Sequence, residues 1–149
     1  MPGTYTDLLY HIFWSTKGRE RWITPDVIER LHAFMGGIVR DLGGTALIIG
    51  GVEDHVHILA RCRPDLSISD FMRELKARSS RWVHETFEGK KGFAWQEGYT
   101  AVTVSPSVKP KVHEYIARQA EHHRTKSFRE ELIEFLERHG IEYDPRYLD

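Results

Sequence analysis

The sequence predicts an α+β domain: a four-stranded antiparallel sheet in a split β-α-β arrangement, with two helices on one face and further helices after the last strand. Three observations predict it. Apolar residues recur at helical spacing in two long segments. Those segments separate stretches rich in β-formers. Two such stretches adjoin across a short turn.

The elements follow in order. "YTDLLYHIFWST" predicts a first strand near 5–16. Thr24 can cap the next helix, Pro25 suits its first turn, and Gly43-Gly44 stops it. Val27, Ile28, Leu31, Phe34, Met35, Ile38 and Leu42 form its apolar stripe. Residues 45–62 read as two strands joined by a turn near Glu53-Asp54. A second helix over 67–87 buries Phe71, Met72, Leu75 and Trp82, and presents Arg73, Lys76, Arg78 and Arg81 to solvent. "FAWQEGYTAVTVS" returns as a fourth strand. Helices over 107–123 and 127–140 complete the chain, the last opened by a Ser127–Glu130 capping box and closed by Gly140. The order β-α-β-β-α-β-α-α is two β-α-β units sharing a hairpin, the ferredoxin-like sandwich, whose first and third strands are central. The whole chain, 1–149, suits one domain, with a core over about 5–125 and an acidic helix and tail over 127–149.

Bulk properties narrow the function. No apolar run approaches the ~20 residues that span a membrane. The opening lacks a basic stretch followed by an apolar core, and a lone Cys62 excludes an internal disulfide, so a cytoplasmic protein is expected. Net charge is −1, but it is unevenly spread. Residues 61–91 carry 8 Lys/Arg against 5 Asp/Glu, and residues 109–129 carry 6 against 2, whereas 130–149 carry 2 against 7. A basic middle is what a phosphate backbone would feel.

The chemistry-bearing residues lie in two segments. His55 and His57 are two apart on a strand, so both imidazoles project to one side, roughly 6–7 Å apart at the backbone. That spacing lets two neutral imidazoles converge on one ion, although half-buried structural histidines would look the same. Tyr115 and Gln119 are four apart on the third helix, beside a stripe through Val112, Ile116 and Ala120. His122 and His123 follow as alternative ligands. Glu114 and Glu121 point elsewhere, and His113 takes no role.

Together, "DHVHIL" at 54–59, "WQEGYTAVTVS" at 95–105 and "YIARQ" at 115–119 resemble the HUH-type single-tyrosine transposases of bacterial insertion sequences. "HIFWSTKGR" at 11–19 is similar to that family's first strand and loop. The resemblance implies metal-dependent cleavage and rejoining of single-stranded DNA. It implies Tyr115 as nucleophile, His55, His57 and Gln119 as ligands of Mg²⁺ or Mn²⁺, hairpin-containing element ends as substrate, and a homodimer in which "SPSVKP" at 105–110 acts as a hinge. Lys17, Arg19, Arg21, Arg73, Lys76, Arg78 and Arg81 are the expected phosphate contacts. Two other readings use the same residues: a domesticated relative nicking repeated palindromes, and a non-catalytic ferredoxin-like module that binds metal or nucleic acid.

Overall fold

The structure, a computed structural model, describes residues 2–148. Its strands are β1 (Leu8–Ser15), β2 (Thr45–Val52), β3 (His55–Cys62) and β4 (Thr100–Thr103). They form one antiparallel sheet ordered β2-β3-β1-β4, so β1 and β3 are central as expected. The helices are α1 (Pro25–Asp41), α2 (Ile68–Thr86), α3 (Lys109–Ala117), α4 (Gln119–His122) and α5 (Phe128–Arg138).

Strand alternation divides the side chains between two faces. Ile12, Trp14, Val56, Ile58 and Ala60 pack with Val27, Leu31 and Met35 of α1 and Phe71, Met72 and Leu75 of α2 into the main core. Leu9, Phe13 and Leu59 point the other way. They meet Ile116 of α3 and Phe128, Leu132 and Leu136 of α5 in two smaller clusters. The crossover helices therefore cover one face, and the C-terminal helices cover the face that carries His55 and His57.

The β2–β3 turn consists of Glu53 and Asp54, with Val52 paired to His55. Its register is held from outside the hairpin: Thr16 N–H donates to the Asp54 carbonyl and Ile23 N–H to that of Glu53, both at 2.9 Å. A slip of one residue would turn both histidines into the opposite face.

Local chemistry differs from expectation at five places. Thr24 occupies the cap position of α1, but its hydroxyl donates to Asp26 Oδ1 at 2.6 Å instead of capping a backbone N–H. Trp82 is half-buried, stacked on Phe34 at a centroid distance of 4.5 Å. The fourth strand is only four residues long, because Trp95 makes an isolated bridge to Thr16 and the chain then loops outward before Thr100. The helix expected over 107–123 is interrupted at Arg118 (φ −103°, ψ 25°), which separates α3 from α4. Ala120, expected in the apolar stripe, is exposed because of that break.

The final helix does begin with the capping box: Ser127 Oγ accepts from Glu130 N–H, and the Glu130 carboxylate accepts from Ser127 N–H. It packs against the sheet through Phe128, Leu132 and Leu136, joined by Leu148. The packed body therefore runs well past residue 125.

His32 on α1 carries a testable consequence of burial. Its Nε2 is shielded from solvent without a hydrogen-bond partner, and burial lowers its pKa to about 4. A folded-state value below the unfolded one means that the neutral form favours folding fully above pH 6.5, and that this contribution is lost as pH falls toward 4. His32→Leu should shorten the acid limb of a urea-midpoint-versus-pH curve, retaining on the order of 2 kcal/mol more stability at pH 4 than the parent. Parallel curves for both proteins would mean that His32 is not a source of acid lability.

Candidate active site

Six side chains from four elements converge on the outer face of β3. His55 and His57 are both fully buried there. Tyr115 reaches in from α3, Gln119 from the start of α4, His123 from just after it, and Glu131 from α5. Gln119 and Glu131 are also buried.

Each ring and amide in the cluster is oriented by a contact on its outer side. His55 Nδ1 lies 2.7 Å from the Asp54 carboxylate, so it carries the hydrogen and turns Nε2 inward as a lone pair. His123 Nδ1 lies 2.6 Å from the Lys126 carbonyl, which can only accept, so Nδ1 carries a hydrogen and Nε2 faces inward. Burial works against its charge, but the Glu131 carboxylate and the Lys126 carbonyl together raise its pKa. His57 Nδ1 meets His11 Nε2 at 2.9 Å. The Gln119 amide donates to the Tyr115 carbonyl at 3.3 Å, which leaves its Oε1 pointing at the imidazoles.

The result is a tight cluster of inward-facing ring nitrogens and oxygens. Gln119 Oε1 lies 3.1 Å from both His55 Nε2 and His123 Nε2. Glu131 Oε1 lies 3.0 Å from His123 Nε2, 3.2 Å from His57 Nε2 and 3.6 Å from His55 Nε2. Lone pairs packed this closely repel unless a proton or a cation sits among them. The donor set fits a divalent metal ion, since neutral imidazole, amide oxygen and carboxylate are all ordinary ligands. His55, His57 and Gln119, expected from the sequence, are brought together.

The nucleophile candidate joins the same cluster. Tyr115 Oη donates a short hydrogen bond to Glu131 Oε2. Burial and the adjoining Glu131 carboxylate both push the Tyr115 pKa well above its usual value. Burial works against the charge of Glu131, but hydrogen bonds from His123, His57 and Tyr115 outweigh it and hold the carboxyl well below the usual range. His57 is lowered to about 4, chiefly by burial, so it is neutral near pH 7. His11 is lowered to about 3 by burial and the adjacent His57.

Residues 4–119 match the family described as transposase, IS200-like. The chain belongs to the IS200-like transposases.

The ISDra2 transposase TnpA of Deinococcus radiodurans is 28% identical over 122 residues, 78% of this chain and 87% of the relative. The transposase for insertion sequence element IS200 of Salmonella typhimurium is 35% identical over 118 residues, 75% and 76% of the two chains. Among solved structures, a transposase from Deinococcus radiodurans R1 superposes with a TM-score of 0.67 at 28% identity, covering 80% of this chain and 95% of that one. A REP-associated tyrosine transposase bound to a REP hairpin shares the fold, with a TM-score of 0.62 at 16% identity over 83% and 73%. The protein is accordingly a transposase, and no described helix is long and apolar enough to cross a membrane.

The basic residues of this IS200-like chain divide by location. Arg19 and Arg21 line a 690 Å³ cavity beside Asp54 and His123, together with Arg124 and Lys126, which the sequence reading did not single out. Lys17 is exposed next to them. The basic helix α2 lies across the sheet from the histidines, so Arg73, Arg78 and Arg81 are remote from the cluster. Arg73 pairs with Asp70 at 2.9 Å and Arg78 with Glu74 at 3.6 Å. Lys76 is a correction: its ammonium donates to the carbonyls of Gln96, Glu97 and Gly98 at 2.7, 3.1 and 2.6 Å. Its three hydrogens hold the loop before β4 and are not offered to phosphate.

Glu131 and His11 escaped the sequence reading, yet each left a signal. Glu131 interrupts an apolar stripe of Phe128, Leu132, Phe135 and Leu136, where a carboxylate has no reason to be unless it is paired. His11 occupies the inward alternation between Leu9 and Phe13.

Proposed function

We propose that the chain cuts and rejoins single-stranded DNA through Tyr115, in a reaction that depends on a divalent ion held by His55, His57 and Gln119. One observation carries the reading. The tyrosine hydroxyl and the inward nitrogens of His55 and His57 meet the same carboxylate, and Gln119 Oε1 meets His55 Nε2, so nucleophile and ion site occupy one small volume.

When bound, the ion withdraws charge from the scissile phosphate. The protein does the rest. Tyr115 Oη attacks phosphorus, the bond to the 3′ oxygen breaks, and the departing oxygen takes up a proton to become a free 3′-hydroxyl. The DNA is left on the enzyme as a 5′-phosphotyrosine ester. Attack by a 3′-hydroxyl reverses the step and returns the proton to tyrosine, so the bond energy is conserved without a nucleotide cofactor. Asp54 fixes the His55 tautomer, and His11 steadies His57.

The strand has room on both sides of the cluster. A 340 Å³ cavity beside Tyr115 is lined by Lys111, Lys126, Arg138 and His139, and the larger cavity with Arg19, Arg21 and Arg124 adjoins His123. A folded hairpin as substrate is supported by the relative that binds a REP hairpin. Gln119 Oε1 reaches His55 Nε2 and the Tyr115 ring faces His57 within one chain, which supports an active site completed in cis.

The test is a labelled single-stranded hairpin incubated with the protein and Mn²⁺, then run on a denaturing gel. A covalent protein–DNA band is expected, and it should vanish in excess chelator and in His57→Ala. A band that persists in both would remove the ion from the mechanism. No band with either element-end hairpins or repeated palindromes would favour the non-catalytic module.

A further inference from the structure

Two of the converging groups lie beyond residue 119, where the family match ends. They are His123 and Glu131, and their inward atoms, with those of His55 and His57, all fall within 4.8 Å of one another. We infer that His123 and Glu131 are themselves ligands of the ion, so that the C-terminal segment completes a five-donor, carboxylate-containing metal site. This inference rests on the metal-dependent reading above and enlarges its ligand set.

Distances support it. Around an ion with bonds of ~2.1 Å, ligands at right angles sit about 3.0 Å apart. The contacts of Gln119 Oε1 with His55 and His123 are each 3.1 Å, and those of Glu131 Oε1 with His123 and His57 are 3.0 and 3.2 Å. The separation of His55 Nε2 from Glu131 Oε1 is looser, 3.6 Å. Five donors so spaced leave one position of an octahedron for an oxygen of the scissile phosphate.

Ring orientation supports it as well. The outward hydrogen bond of His123 to the Lys126 carbonyl fixes its ring with Nε2 directed at the other donors, as Asp54 does for His55. Glu131 is buried on α5 with its two oxygens divided, Oε1 toward the imidazoles and Oε2 toward Tyr115 Oη. It thereby ties the ion to the nucleophile, and it ties α5 to both.

The ligand chemistry has a consequence for the metal. Three imidazoles and a single carboxylate suit Mn²⁺ and later transition ions, whereas Mg²⁺ favours oxygen donors and retained water. Mn²⁺ should bind the full-length protein at least about tenfold more tightly than Mg²⁺.

The experiment is Mn²⁺ titration of the full-length protein without DNA, followed by calorimetry, with pulsed EPR of the bound ion to count coordinated imidazole nitrogens. The wild type should show three imidazoles and His123→Ala two. Glu131→Gln should lose at least about tenfold in Mn²⁺ affinity, with folding checked by circular dichroism; the wild-type imidazole count stands even if a variant folds poorly. A wild type with two imidazoles would overturn the inference, as would Glu131→Gln and His123→Ala proteins that hold Mn²⁺ like the wild type while His57→Ala loses it. In that case His123 and Glu131 form an ion pair only, and the two-histidine, one-amide site remains. Absence of any Mn²⁺ binding would defeat both readings.

Discussion

Tyr115→Phe should form no covalent adduct with a single-stranded hairpin, while folding and Mn²⁺ binding stay close to the parent. The change removes one oxygen and leaves the ring. That ring still faces His57 at a centroid distance of 5.7 Å and His122 at 5.2 Å, so the position of α3 against the sheet is kept. The lost hydroxyl donates to Glu131. Removing a single hydrogen bond to a buried carboxylate that keeps its contacts with His57 and His123 costs about 1–2 kcal/mol. Chemistry responds on another scale. Water can hydrolyse a phosphodiester, but it cannot hold the broken strand for rejoining, so adduct and strand transfer should both fall below detection. An adduct of undiminished yield would identify a different nucleophile, and mapping the linked peptide would name it.

Gly50→Val is expected to damage the site from behind. Gly50 lies on β2 opposite His57, and α3 rests directly on it. A Cβ at this position would sit 2.3 Å from the Ile116 carbonyl oxygen and 2.9 Å from Ile116 Cγ2. Backbone cannot yield as a flexible side chain does, so α3 must retreat by about an ångström to restore ordinary contact. Overpacking of this kind costs about 1–3 kcal/mol. Tyr115 precedes Ile116, and displacement of a reacting group by ~1 Å can cost about 100-fold in rate. The adduct should therefore form about 100-fold more slowly even where the variant remains folded. Gly37→Ala is the control, because a Cβ there meets nothing within 4 Å and α1 gains helix propensity. Wild-type adduct rates in Gly50→Val would show that α3 does not need its seat on the sheet.

The sequence made one half of the site legible and concealed the other. His55 and His57 could be placed because strand alternation is rigid: once the hairpin turn was located at Glu53-Asp54, the shared face followed. Helical spacing put Tyr115 and Gln119 on one face and the family resemblance singled them out; that face still holds across the break at Arg118 because the Gln119 amide reaches back to the Tyr115 carbonyl. Glu131 was lost in a run of acidic residues that reads as a solvated face. Only its place between Phe128 and Leu132 separates it from Glu130 and Glu134, which are exposed. Lys76 failed for the opposite reason. A cation on an amphipathic helix looks available, and nothing in the one-dimensional pattern shows three carbonyls from residues 96–98 closing over it. Fold class needed only periodicity and order, which survive such errors. Site membership depends on long-range partners, which periodicity does not encode.

The stacking of Phe13 bears on how this chain tolerates shortening. Phe13 lies flat on His57 at 4.7 Å and is closed over by Phe128 and Phe135 of α5. Trimming the protein to the region that matches the family would leave that aromatic pair bare at the centre of the sheet. The exposed face would be flat and greasy, flanked by two strands, and prone to self-association. The C-terminal helix is thus a built-in chaperone for the strand that carries His55 and His57, and solubility, before any activity, is what a minimal version of this transposase would lose first.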